Sequence, residues 1–239
     1  MQNSNKWSSK YADCIYATTL LSKLEKLNQQ VTQPVDMNEV RRGIYYAKKY
    51  HGSQMRLSGV PYYSHPIEVA NMVAEYTGLE MPKYYRTDMI ITSLLHDTIE
   101  DTELTENMIS RVFSKQIARQ VVDLTRVKTH GKISSSETLD LLFQQKKYDV
   151  ALIKLFDRIH NLQTVGAKSP EKAMKIISET VRHFLILSTY LEVPQAEQQL
   201  IKLCYKSFLT KQPSADESKK NIQTILPTFQ NEITRMQNQ

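Results

Sequence analysis

One pattern recurs almost from end to end of this 239-residue chain: apolar side chains spaced three or four residues apart. Ile15, Leu20, Leu21, Leu24 and Leu27 outline a first amphipathic helix, because residues at that spacing share one helical face. Asp36, with Glu39 three residues on, can cap a second, whose buried stripe is Val40, Ile44 and Ala47. A loop follows from about Gly52 to Ser64, and Pro66 sits where a further helix can start, continued by Ile67, Val69, Ala70 and Val73. An apolar helix is expected over about 88–99, with others over 105–113, 115–126, 136–146 and 148–164. Ser169-Pro170-Glu171 combines a cap, a first-turn proline and a first-turn acid, opening a long helix to about Leu191. Pro194 starts another, reaching about Leu209. No segment alternates apolar and polar residues over a useful length, and Gly (6) and Pro (8) are sparse, so the expected class is all-α.

An apolar content of 41% suffices for one compact domain or two small ones. The expected division is a helical extension over 1–35, a main domain over 36–209, and a linker with a peripheral helix over 210–239. Cys14 and Cys204 have no metal-ligand spacing and fit a reducing compartment with free thiols. The N-terminus has no apolar signal region and no stretch approaches 18 uninterrupted apolar residues. A cytoplasmic protein without a membrane partner is the expectation. The net charge of +6 and pI near 9.1 suit a polyanion, whether nucleic acid, acidic membrane or phosphorylated small molecule. No eight-residue window is dominated by Lys and Arg, so nucleic acid is not the expected partner. Nothing in the sequence specifies an oligomeric state.

Against this apolar background, three polar clusters stand out. LLHDTIEDTE, residues 94–103, carries an apolar run straight into His96, Asp97, Glu100 and Asp101. Buried acids are costly unless paired, protonated or bound to a metal. The plainer alternative is a solvated turn whose acids cap a neighbour or pair with Lys. A second cluster, IKLFDRIHNLQT, places Asp157, Asn161 and Thr164 on one face of an apolar helix, where they line something or join a buried hydrogen-bond network. The third, residues 46–66, holds Arg56 in a glycine-bearing loop and His65 just before Pro66; alone, each is as readily solvated or structural. Together, His65, His96, Asp97 and Asp157 supply two imidazoles and two carboxylates without thiolate. Such a set suits one octahedral Mn²⁺, Fe²⁺ or Mg²⁺ better than structural zinc, and its charge compensates the clustered acids.

The stretches HGSQMRLSGVPYYSHP, LLHDTIEDT and LIKLFDRIHNLQT resemble the hydrolase half of the RelA/SpoT family, over about residues 38–203 and in the family's order and spacing. That half is a multi-helix HD-domain Mn²⁺ enzyme that removes pyrophosphate from the 3′ position of (p)ppGpp. The resemblance implies His65, His96, Asp97 and Asp157 as metal ligands for one Mn²⁺ per chain. It implies Glu100 and Asp101 as the acidic pair that orients and deprotonates the attacking water. Arg56 matches the residue that stacks on guanine, Ser58 lies beside it, and Asn161 and Thr164 match nucleotide-contacting positions. With no place for the family's synthetase domain, the chain is similar to the small stand-alone hydrolases. Leu57, Val60, Gln163 and Phe184 depart from the usual family residues, each removing polarity near the expected nucleotide pocket.

The activity so implied is metal-assisted hydrolysis of a guanine nucleotide. Two other functions stay open beside it. One is a metal phosphohydrolase for another nucleotide, such as an NADPH phosphatase or a nucleotidase, which the missing polarity at 57 and 163 keeps in play. The other is a nucleotide- or metal-sensing module without turnover, against which Glu100 and Asp101 argue.

Overall fold

The computed structural model describes residues 14–128 and 131–210; the first 13 residues of the expected N-terminal extension and nearly all of the C-terminal linker and helix lie outside these residues. The chain divides into two compact units, Met1–Phe156 and Asp157–Gln239.

In the first unit the amphipathic pattern folds as its period requires. Helix α1 (Ile15–Asn28) buries Leu20, Leu21, Leu24 and Leu27, while Ile15 at its start stays exposed. Helix α2 (Met37–His51) opens on Asp36, whose Oδ1 accepts from the backbone N–H of Asn38 at 2.8 Å and of Glu39 at 3.1 Å. The carboxylate thereby satisfies two of the donors a helix start leaves unpaired. Helix α3 (Ser64–Leu79) begins two residues before Pro66. Helix α4 (Thr87–Leu95) buries every residue from Met89 to Leu95 and packs against α2 and α3. Gly43 makes the approach of α2 to α4 possible, since a Cβ there would stand 2.9 Å from Leu94 Cδ1.

The apolar helix expected over 88–99 is shorter than its sequence suggests. It stops at Leu95, the chain turns through His96 and Asp97, and a single turn, α5 (Thr98–Asp101), follows. Thr98 Oγ1 donates to the Leu95 carbonyl at 2.7 Å, and Thr102 Oγ1 to the Thr98 carbonyl at 2.6 Å. The Thr98 hydroxyl serves a carbonyl of the last turn of α4, and the Thr98 carbonyl also accepts the Thr102 backbone N–H at 3.0 Å.

Helices α6 (Glu106–Val112) and α7 (Lys115–Leu124) pack on each other, and α7 also packs on α4. Leu95, Leu104, Ile109, Ile117 and Val121 share one buried cluster with Ile91. A short antiparallel ribbon comes next, β1 (Val127–Lys128) and β2 (Gly131–Lys132), with Gly131 at φ 120°. No strand signal marks these residues, because two-residue strands are too short to display a period. Helix α8 (Ser135–Gln144) opens on a reciprocal Ser134–Glu137 capping box. Helix α9 spans Tyr148–Gln163.

In the second unit the long helix expected to run to Leu191 is interrupted. Helix α10 (Pro170–Glu179) passes into a π turn at Thr180–Phe184 before α11 (Leu185–Tyr190), and α10 and α11 pack on α12 (Pro194–Thr210). Thr180 Oγ1 donates to the Ile176 carbonyl at 2.7 Å where the helix widens. Phe184 is fully buried there, with the Arg158 guanidinium 4.2 Å from its ring centre and paired to Glu179 at 2.8 Å. No described helix is long and apolar enough to cross a membrane. The all-α class holds, with the ribbon and an isolated antiparallel bridge between Met55 and Pro61 as additions among the described residues.

Candidate active site

Three chain segments converge in the first unit. The turn between α4 and α5 supplies His96 and Asp97, the start of α3 supplies His65, and the loop before α3 supplies Tyr62. His96 and His65 are each 2% exposed. Asp97 faces both rings: its Oδ1 lies 2.8 Å from His96 Nε2 and its Oδ2 lies 3.3 Å from His65 Nε2. The two imidazole rings stand 5.1 Å apart, edge to face.

The tautomer of His96 follows from its other nitrogen. Nδ1 lies 2.7 Å from the Ser93 carbonyl, which can only accept, so Nδ1 carries the proton. Nε2 then faces a carboxylate oxygen, and the pair needs either a second proton or a cation between them. Burial alone would push the Asp97 carboxyl up, but the charge of His96 and the hydrogen bond from His65 hold it well below the usual carboxylate range. An anionic carboxylate beside two inward-facing imidazoles, one already oriented by a carbonyl, is a donor set that fits a divalent metal ion.

Beside this His/Asp group stands the acidic pair. Tyr62 Oη lies 2.7 Å from Asp101 Oδ2 and 3.1 Å from Asp97 Oδ2, so one phenol ties the two acids together. Burial, reinforced by the charges of Asp97 and Asp101, pushes the Tyr62 phenol far up, so it stays a neutral donor. His51 stacks on the Tyr62 ring at 4.6 Å, and its Nδ1 lies 3.0 Å from Gln54 Oε1. Burial pushes the His51 imidazole down. Gln54 Nε2 in turn donates to the Asp101 carbonyl at 2.9 Å.

Glu100 points elsewhere. Its Oε1 accepts from Arg126 Nη2 and Lys132 Nζ, each at 2.7 Å. Its Oε2 accepts from the Arg126 backbone N–H at 3.2 Å and from Nε at 3.3 Å. Burial would raise the Glu100 carboxyl, but the hydrogen bonds from Arg126 and Lys132 outweigh it and lower it below its ordinary value.

Arg56 lies in the loop before α3, where Gly59 takes φ 83° and the Arg56 N–H donates to the Val60 carbonyl at 2.9 Å. Its guanidinium stands 5.8 Å from the Tyr62 ring centre. Ser58 is exposed at the tip of that loop, beside the exposed side chains of Met55 and Leu57. In the second unit, Asp157 is buried on α9 and its Oδ1 accepts from Asn161 Nδ2 at 2.6 Å. Thr164, just past the helix end, donates towards the His160 carbonyl at 3.3 Å.

His65, His96, Asp97 and Asp101 are thus brought together, with Glu100 one residue away and turned to the ribbon. Sequence reasoning assigned no site role to Tyr62, His51, Gln54, Arg126 or Lys132. His51, Gln54 and Tyr62 sit inside the quoted 51–66 stretch, and that spacing was their only signal. Arg126 and Lys132 had none, because they meet Glu100 from 26 and 32 residues away.

The chain belongs to the HD-domain family, whose pattern it matches over residues 43–191. Among curated proteins it is similar to the GTP pyrophosphokinase rsh of Brucella ovis, 34% identical over 179 residues, covering 72% of this chain and 23% of that one. It is also similar to the guanosine-3′,5′-bis(diphosphate) 3′-pyrophosphohydrolase of Aquifex aeolicus, 32% identical over 219 residues, covering 88% of this chain and 30% of that one. The chain therefore spans about a quarter of the length of the first curated relatives it matches. Among solved structures it shares its fold with a metazoan ortholog of SpoT that hydrolyses ppGpp. That likeness has a TM-score of 0.56 at 19% identity and covers 70% of this chain and 94% of the other.

Proposed function

We propose that the chain, through residues 36–209, is a metal-dependent phosphohydrolase that releases pyrophosphate from the 3′ position of (p)ppGpp, leaving GDP or GTP. The observation that carries this reading is the convergence of two buried imidazoles on the two oxygens of Asp97, with Asp101 tied alongside through Tyr62. The names of the curated relatives and the fold shared with a ppGpp-hydrolysing protein support the substrate class.

His65, His96, Asp97 and Asp157 would hold one divalent ion, with Mn²⁺ the best match to a hard, thiolate-free donor set. Such an ion supplies Lewis acidity towards the scissile phosphate. Asp101 takes a proton from the attacking water, whose oxygen bonds to phosphorus while the bond from phosphorus to the 3′ oxygen breaks. The 3′ oxygen leaves as a hydroxyl, taking up the proton that Asp101 removed, and pyrophosphate departs, so each turnover consumes one water. Tyr62 holds Asp101 in place, and the stacked His51 holds Tyr62. Glu100 completes the acidic pair. Arg56, Ser58, Asn161 and Thr164 are assigned to the nucleotide. A cytoplasmic location and free Cys14 and Cys204 thiols accord with such a substrate.

The experiment is turnover of ppGpp with added Mn²⁺, with the products identified and a panel including NADPH run alongside. GDP and pyrophosphate are expected, with activity lost in EDTA and restored by the metal. Release of phosphate from NADPH with ppGpp untouched would move the substrate. Tight nucleotide binding without any product would instead make the chain a sensor. Arg56→Ala is expected to raise KM about tenfold with metal content unchanged, since a cation–π contact contributes about 0.5–2 kcal/mol. An unchanged KM for every nucleotide would remove Arg56 from the binding site.

A further inference from the structure

We propose that His51 and Gln54 are positioning residues for Asp101, and that position 51 carries an imidazole for its Nδ1 proton rather than for its ring. The proposal rests on the reading of Asp101 as the base and adds the two residues that hold its main chain.

The hydrogen-bond roles follow from the Asp101 carbonyl. A carbonyl can only accept, so the Gln54 group that meets it at 2.9 Å is the amide nitrogen. The amide oxygen is thereby turned to His51 Nδ1 at 3.0 Å, and since that oxygen also only accepts, Nδ1 carries the ring proton. His51 is 1% exposed, and among the described residues the protein supplies no partner to its Nε2. The protein therefore uses the polarity of this ring through Nδ1 alone. A phenyl ring would stack on Tyr62 as well and would bury no polar atom. What the imidazole adds is the bond that fixes the Gln54 amide.

The backbone is arranged to close this relay. Helix α2 ends at His51, and Gly52, at φ 50°, turns the chain so that the Gln54 N–H donates to the His51 carbonyl at 2.9 Å. The Gln54 carbonyl in turn accepts from the Tyr62 N–H at 2.8 Å. Asp101 is thus gripped twice, by Tyr62 at its carboxylate and by Gln54 at its carbonyl. The second grip matters because α5 is a single turn of four residues, too short to hold its own shape. A phenol on the carboxylate restrains the side chain; the amide on the carbonyl restrains the main chain that carries it.

The test uses the full chain with its metal and reads backbone hydrogen exchange at Asp101 and Thr102 beside kcat, KM and metal content. Exchange needs no substrate, so it decides the relay even where a failure to turn over ppGpp ends the hydrolase reading. Gln54 is exposed, so Gln54→Leu leaves the core intact. It is expected to speed exchange at both amides and to lower kcat about three- to tenfold with KM and metal unchanged, as for one lost hydrogen bond. His51→Phe keeps the stacked ring and is expected to show the same losses. The double variant should lose no more than either single one, because the two residues are links of one relay. His51→Asn, which puts an amide nitrogen where Nδ1 stood, is expected to recover much of what Phe loses. A ring kept only for packing gives the reverse order, with Phe tolerated and Asn damaging. That order would overturn the relay, as would wild-type exchange in Gln54→Leu, single losses that multiply in the double variant, or a loss of metal.

Discussion

His96→Ala is expected to empty the metal centre and take turnover with it. His96 contributes the inward Nε2 whose orientation is fixed by the Ser93 carbonyl, and it faces Asp97 at 2.8 Å. Changes to residues that merely orient a metal ligand typically cost about 10–100-fold in metal affinity or activity, so loss of a ligand should cost more. Metal analysis of the purified variant, beside its helical signal by circular dichroism, checks this. A folded His96→Ala protein that still carries stoichiometric metal would put the ion elsewhere.

The second large effect falls on Asp101. Asn at this position keeps the size of the side chain and a hydrogen bond to Tyr62 while removing the base. General-base loss costs about 10²–10⁴ in rate, so Asp101→Asn should lower kcat by that range with metal content and KM near wild type. Tyr62→Phe leaves the carboxylate in place but unheld, and a loss of only about tenfold is expected from one missing hydrogen bond to a charged group. Glu100→Gln separates the two acids. Glu100 is already satisfied by Arg126 and Lys132 on both oxygens, which makes it the poorer proton acceptor of the pair. A larger loss in Glu100→Gln than in Asp101→Asn would reverse that assignment.

The helices were legible wherever a local rule governs them. Asp36 caps α2 as its spacing with Glu39 implies, and Val40, Ile44 and Ala47 are buried on one face. The end of α4 at Leu95 was not legible, because no Gly or Pro marks it; the Thr98 hydroxyl and the His96 ring satisfy carbonyls of its last turn instead. The π turn at Thr180–Phe184 was hidden for the same reason, since it preserves an apolar pattern and differs by one inserted residue. Among the site residues, His96 and Asp97 were visible as polar groups at the end of a greasy run, and they do meet His65. Glu100 and Asp101 looked alike in sequence, yet one faces a tyrosine and the other two cations. That difference depends on contacts 26 to 39 residues away, which no window of neighbouring residues contains.

The early stop of α4 also sets the sign of the field at the centre. A helix ends on carbonyls that face outward unpaired, equivalent to roughly half a negative charge at its C-terminus. The Ser93 carbonyl belongs to that last turn, and it is the group that fixes His96. Termination therefore supplies both the orientation of a ligand and a local preference for a cation over an anion. A variant in which α4 ran on through residues 96 and 97 would lose both together, however well its side chains were chosen.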